Sequence, residues 1–176
     1  MKATRLLLLC HGPTASQREG RLARAADLPL GTAPPTWRAA GTLLCAPEPR
    51  AQASAAGLGQ AEQCEALRDV NLGEWAGRRL STLEQHQPAA LGQWLVEPAF
   101  TPPGGESLLQ LGERLGAWLA TLGPGSYTAV THPAVIRALL ISALALPPAC
   151  FNRLDVAPWA ALQLSRHGHW RLRLEG

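Results

Sequence analysis

No cysteine of this chain pairs with another in a C-x-x-C spacing, although Cys10, Cys45, Cys64 and Cys150 are all present. That pattern argues against a zinc knuckle or a redox dithiol, so the four read as reduced, mostly buried thiols. There is no basic block either. The formal charge is only +3, and the arginines stand singly or in pairs, which excludes nucleic acid as an electrostatic partner. No apolar run approaches the roughly 20 residues needed to cross a bilayer, so no membrane partner is expected. Lys2 and Arg5 ahead of Leu6-Leu7-Leu8-Leu9 imitate an export signal, but the apolar run is short and Leu9 is not the small residue a cleavage site needs. The expected location is the cytoplasm. With 176 residues, 47% of them hydrophobic, the chain is long enough for one domain, spanning 1–176, and requires no second.

Short apolar runs alternate with helical patterns. Leu6 to Leu9 and Thr42 to Cys45 read as strands buried on both faces, and Tyr127 to Thr131 as a third. Arg50 to Leu58 has the alanine content of a helix. Ser107 sits where an N-cap belongs, ahead of leucines 108, 111, 115 and 119, and Pro133 opens a helix running to Leu146. Between Gln17 and Pro35 the chain reads as loop, with at most a helical turn around Arg21 to Ala26. An irregular stretch from Leu67 to Gly77 leads into helices near Ser81 to Gln85 and Ala89 to Val96, so residues 70–105 form a small cap segment. The alternation in Ala161 to Leu164 and Trp170 to Leu174 suggests antiparallel strands around a Gly168 turn. The fold class is α/β: a three-layer α/β/α sandwich with a mostly parallel central sheet and helices on both faces.

In such sheets ligands collect at the carboxyl ends of the strands. His11, Arg50 and His132 each follow the end of an expected strand, so all three can project into one crevice. Removing a phosphoryl group needs a nucleophile, positive charge on the equatorial oxygens and a proton for the leaving oxygen. His11 is the candidate nucleophile. Gly12 lets backbone approach a ligand, and Thr14 offers a hydroxyl and an N–H. Arg50 is placed to clamp the phosphate, and His132 to add a hydrogen bond. Asp69 and Glu106 are the two loop carboxylates within reach as the acid. Taken singly, His11 also reads as a turn histidine, Arg50 as a surface arginine and His132 as a satisfied core histidine. Cys10 as a nucleophile has no paired base in the pattern.

Five segments in order resemble the histidine phosphatase superfamily, its phosphoglycerate mutase-like branch. They are Cys10-His11-Gly12-Pro13-Thr14-Ala15-Ser16-Gln17, Ala46-Pro47-Glu48-Pro49-Arg50-Ala51-Gln52-Ala53-Ser54-Ala55, Leu67-Arg68-Asp69 through Gly73 to Gly77, Pro103 to Ser107, and Val130-Thr131-His132 through Arg137. The resemblance implies a phosphomonoesterase acting on a small phosphorylated molecule through a phosphohistidine at His11, with Asp69 as acid and then base. It implies that Arg50 and His132, with Gly12, Thr14 and Gln17, hold the phosphoryl oxygens, and that neither metal nor organic cofactor takes part. Cys10 and Glu106 are supporting candidates. Three departures stand out. Cys10 replaces the family's first arginine, Asp69 is one methylene shorter than the usual glutamate, and Gln17 takes an asparagine position. Arg166-His167-Gly168 is the better literal triplet, but no helix follows it, and it reads as a decoy. The alternative function is a catalytically impaired member that binds a phosphorylated ligand or a protein without turnover.

Overall fold

The computed structural model describes residues 3–34 and 36–173; Lys2, Pro35 and Leu174 of the sequence reading lie outside them. A six-stranded sheet runs in the order β3-β2-β4-β1-β5-β6. Its strands are β1 Thr4–Cys10, β2 Thr42–Cys45, β3 Glu62–Gln63, β4 Gly125–Thr131, β5 Ala161–His167 and β6 His169–Arg173. The first four in that order are mutually parallel, and β5 and β6 are antiparallel to their neighbours. Among the described residues there are six α-helices, beside four short 3-10 turns: α1 Ala15–Arg18, α2 Pro49–Ala55, α3 Leu80–His86, α4 Pro88–Val96, α5 Leu108–Thr121 and α6 Pro133–Leu144.

The leucine run explains the centre of the sheet. Successive strand residues point to opposite faces, yet Leu8, Leu9 and Cys10 are all buried, as are Thr128 to Thr131 on β4. Both faces are therefore covered, which is the three-layer α/β sandwich expected. Helix α5 buries Leu108, Leu111, Leu115 and Leu119, one stripe at helical spacing, and packs on α6. Ser107 caps it reciprocally: its Oγ accepts from Gln110 N at 3.1 Å while Gln110 Oε1 accepts from Ser107 N at 2.9 Å.

Two local expectations are corrected. The helical turn at Arg21 to Ala26 does not form. Leu22 N bonds Arg78 O at 2.9 Å, Gly77 N bonds Leu22 O at 3.1 Å, and the Asp27 carboxylate takes Arg24 N at 2.9 Å. Those donors and acceptors are spent across the chain, so no helix can use them. The short edge strand β3 went unread because Glu62 and Gln63 are exposed and carry no apolar pattern. Helix α6 also stops at Leu144, since Ala145 takes a left-handed conformation with φ 52°.

Residues 70–105 fold against themselves around a separate small cluster. Leu72, Trp75 and Leu83 are buried there with Val70, Trp94 and Phe100 partly buried beside them. Trp75 donates its indole N–H to Gln87 Oε1 at 3.0 Å and meets the Trp94 ring edge-on at 5.9 Å. Gly73 is required where the two ends of this segment meet: its φ is +52°, and a Cβ would lie 2.1 Å from Pro103 O. Among the described residues no helix is long and apolar enough to cross a membrane.

Candidate active site

Parallel pairing of β1 with β4 sets Cys10 opposite Thr131. The next residue on each strand is a histidine, and the rings of His11 and His132 come to 5.1 Å between centroids at 63°. The His11 backbone is pinned on both sides: its N–H donates to Thr131 O at 2.9 Å and its carbonyl accepts from Trp159 N at 3.3 Å. A hydrogen bond of 2.6 Å joins His11 Nδ1 to Gly12 O. A carbonyl only accepts, so Nδ1 carries the proton and Nε2 keeps its lone pair. Burial, and after it the neighbouring His132, push the imidazole down to about 4 from an ordinary 6.5. At neutral pH His11 is an uncharged ring with a free nitrogen.

Helix α2 begins right after β2 with Pro49 in its first turn, which aims Arg50 back into the crevice. The Arg50 side chain is 2% exposed. Its Nε donates to His132 Nδ1 at 3.1 Å, one Nη to Arg24 O at 2.8 Å and the other to Asp69 Oδ2 at 2.6 Å. A guanidinium has five N–H donors, so two remain beyond these three. Because His132 Nδ1 accepts, its Nε2 is the donor to Glu48 Oε2, at 2.7 Å. The other Glu48 oxygen accepts Asp69 N at 2.9 Å. Burial disfavours the charged forms of Glu48 and Asp69, but for Glu48 the His132 bond, and for Asp69 the neighbouring His132 and the Arg50 guanidinium, outweigh it and hold both carboxyls below their ordinary values. Glu48, His132, Arg50 and Asp69 thus form one closed network under His11.

A pocket of about 190 Å³ opens over this network. His11, Thr14, Gln17, Arg50 and Asp69 line it, with Arg21, Trp94, Arg137, Phe151, Asn152 and aliphatic side chains around the rest of the wall. The structure therefore brings His11, Arg50, Asp69, Thr14 and Gln17 to one cavity. His132 lies directly behind, wholly buried, with both ring nitrogens occupied. Among the described residues no group of three or more His, Cys, Asp and Glu side chains is placed to hold a metal ion.

Other candidates have different work. Gly12 does not line the pocket: its N–H goes to Ser54 Oγ at 3.1 Å, and a Cβ there would lie 2.1 Å from the Trp159 ring. It is small to admit an indole, not a ligand. Glu106 is no acid at this site. It pairs with both Nε and Nη2 of Arg114, at 3.1 and 2.9 Å, and accepts Asn71 N at 3.2 Å, clasping the ends of residues 70–105. Cys10 is fully buried in the core, where burial pushes its thiol up to about 12, so it supplies neither thiolate nor cation. Thr14 and Gln17 cap each other, Thr14 N donating to Gln17 Oε1 at 2.9 Å. Arg166 of the decoy triplet stacks on Trp170 in the β5–β6 hairpin, 4.9 Å from its centroid. Glu48, Ser54 and Trp159 were assigned no role; Glu48 and Ser54 both lie in the segment around Arg50, and Trp159 carried no signal.

A buried imidazole with a free nitrogen, beside a guanidinium and a carboxylate at the carboxyl edge of a parallel sheet, defines a phosphoryl-handling hydrolase. The chain belongs to the histidine phosphatase superfamily (branch 1), whose sequence profile matches residues 36–175. It is 30% identical to the glucosyl-3-phosphoglycerate phosphatase of Mycobacterium tuberculosis, over 97% of this chain and 88% of that protein. The solved mycobacterial glucosyl-3-phosphoglycerate phosphatase superposes with a TM-score of 0.80 at 24% identity, covering 97% of each chain. The alpha-ribazole phosphatase from Shigella flexneri gives 0.81 at 19% identity, covering 97% of this chain and 95% of that one. The protein is a hydrolase of the phosphatase type acting on a phosphorylated substrate.

Proposed function

We propose that this phosphatase removes the phosphoryl group of a small phosphate ester through a phosphohistidine at His11 Nε2. The observation that carries the reading is the tautomer. Gly12 O holds the proton on Nδ1, and the lone pair of Nε2 is left for phosphorus. The names of the relatives, a glucosyl-3-phosphoglycerate phosphatase and an alpha-ribazole phosphatase, support a small ester as substrate.

In the first step Nε2 attacks phosphorus, the bond from phosphorus to the ester oxygen breaks, and that oxygen needs a proton. Asp69 is the donor. Held by Arg50 it is ionised, but an incoming phosphate dianion competes for the same guanidinium. As Arg50 turns its donors to the phosphate, the buried Asp69 loses its counter-charge and takes up a proton, ready to give it to the leaving oxygen. In the second step Asp69 removes a proton from water, water oxygen attacks the phosphohistidine, and inorganic phosphate leaves with Nε2 restored. His132 acts through Arg50, fixing its Nε. Thr14 and Gln17 line the phosphate end of the cavity, and residues 70–105 serve as its cap.

Cys10 stands where the family's first arginine belongs, so Arg50 carries the charge neutralisation there. A member that binds without turnover would need a damaged nucleophile or acid; the placement of His11 and Asp69 on one cavity does not favour it. Hydrolysis of p-nitrophenyl phosphate by the protein and by His11→Ala tests the proposal. Turnover lost in the variant is expected; equal trace rates in both would overturn it.

A further inference from the structure

Cover of the sheet stops part of the way along β1. Thr4 and Leu6 point to a buried face, while on the other face Arg5 is exposed and Leu7 half-buried. Strand pairing carries that second face across the sheet. Arg5 lies opposite Ser126 on β4 and Ser165 on β5, and Ser165 lies opposite Arg171 on β6. One step along, Leu7 lies opposite Gln163, and Gln163 opposite Arg173. The segment ahead of β2 reaches the same face, because Ala40 N donates to the Oγ1 of Thr128, the β4 partner of Leu7, at 2.8 Å. A cavity of about 720 Å³ is left there, walled by Arg5, Arg38, Arg173, Trp37 and Gln163.

Strands β1, β4, β5 and β6 contain no aspartate or glutamate, and no carboxylate lines this cavity. Among the described residues Arg5 and Arg173 make no ion pair and no side-chain hydrogen bond. Arg171, beside them, meets only the His169 ring, its Nε 3.3 Å from Nε2. Guanidiniums that the sequence scatters over positions 5, 38, 171 and 173 are thus gathered by the sheet onto one face. Like charges so placed repel one another, and an anion of several charges answers them. The floor between them is apolar, with Leu7, Leu9 and Ala161 beside Trp37. Gln163 is half-buried there, and its amide, a donor and an acceptor together, has no partner among the described residues.

We infer that this face binds a nucleoside polyphosphate, at a site separate from the catalytic cavity. The phosphates answer Arg5 and Arg173, since a guanidinium gives two parallel N–H bonds to phosphate oxygens. An inorganic oligophosphate would leave the apolar floor and the Gln163 amide unused. A nucleobase brings a flat face for Leu7, Leu9 and Trp37, and an edge of donors and acceptors for Gln163. The two cavities share no lining residue, so the site stands or falls apart from the phosphatase chemistry.

Calorimetry on the whole protein tests the site with three probes: the non-hydrolysable β,γ-imido analogue of ATP, inorganic tripolyphosphate and adenosine. The analogue is expected to bind about tenfold or more tightly than either of the others, each of which lacks one half of it. Arg5→Gln and Arg173→Gln, both at exposed positions and checked by thermal melting, should each weaken the analogue by about tenfold or more. In both variants kcat/KM for p-nitrophenyl phosphate should stay within about twofold of the parent value. Gln163→Leu should bring the analogue down to the level of tripolyphosphate. Absence of binding, or tripolyphosphate or adenosine bound as tightly as the analogue, overturns the inference. So does an affinity unmoved in both arginine variants, which would put the analogue in the catalytic cavity instead.

Discussion

His11 and His132 stand 5.1 Å apart because each is the first residue beyond a paired position, Cys10 and Thr131, on neighbouring parallel strands. Register, not mutual attraction, makes the pair. A slip of one residue would turn one ring to the other face of the sheet. The wiring of the two rings then separates their roles. His11 has one nitrogen tied to its own loop, and His132 has both tied to side chains, Arg50 and Glu48.

The two alanine variants should therefore fail differently. His11→Ala removes the nucleophile and should lower kcat by about 10³-fold or more, with no trapped phosphoprotein. His132→Ala removes a support of Arg50. It should still form an acid-labile phosphoprotein, more slowly. Rapid-quench trapping with a labelled ester separates them, and equal trapping in both would contradict the assignment.

Asp69→Asn probes the acid. A p-nitrophenolate leaves without help, but an alkoxide needs a proton, so the variant should lose roughly 10²-fold or more on an alkyl phosphate and much less on p-nitrophenyl phosphate. Equal losses on the two esters would take the proton transfer away from Asp69. The same change breaks the buried pair with Arg50, so its cost in stability, about 3 to 5 kcal/mol, is measured alongside by urea denaturation.

The leucine run of β1, the Ser107 cap and the proline openings of α2 and α6 were legible because each obeys a local rule: burial on both faces, a capping oxygen, a dispensable N–H. The order of strand ends brought His11, Arg50 and His132 together for the same reason. What stayed hidden depends on partners far along the chain. Glu48 gains its role only from His132, 84 residues on, and Gly12 its reason only from Trp159. Glu106 stood open as either the acid or a supporting carboxylate, and its partner shows only in the fold, where Arg114, two turns into α5, takes both its oxygens. The missing turn at Arg21 to Ala26 is likewise a tertiary override, decided by Arg78 and Asp27.

Acid should weaken the fold in two stages. The folded His11 holds its proton only below about 4, while the unfolded ring holds it below 6.5. Between those values the unfolded chain binds more protons, so stability falls as pH drops through that window. Asp69 follows in the opposite chemical sense: its depressed carboxyl stabilises the fold above an ordinary 3.8, and that contribution is lost as pH falls below it. Urea midpoints from pH ~7.5 down to ~4.5 should show the first stage, and His11→Ala should flatten it. An unchanged slope would place the titration elsewhere.

Glu48→Ala leaves Asp69 N–H and His132 Nε2–H without their acceptor, whereas Glu48→Gln keeps an oxygen for one of them. The alanine variant should be less stable than the glutamine variant by about 1 to 3 kcal/mol, the cost of one more unsatisfied buried donor. Both should slow turnover through a looser Arg50. Equal urea midpoints for the two would mean that water, not Glu48, satisfies these groups.

Gly12→Ala tests whether the loop is shaped by an indole. The new methyl would sit 2.1 Å from Trp159 Cζ2, and Trp159 itself already holds a left-handed backbone with φ 64°, so neither partner yields easily. Overpacking of this kind costs about 1 to 3 kcal/mol. Because Trp159 N also bonds His11 O, the clash should shift His11 and lower kcat along with stability. Trp159→Leu opens the space. In the double variant the penalty for the added methyl should shrink, giving a coupling of about 1 kcal/mol or more in a double-mutant cycle read by urea denaturation. Strict additivity would show that Gly12 is needed for its backbone alone.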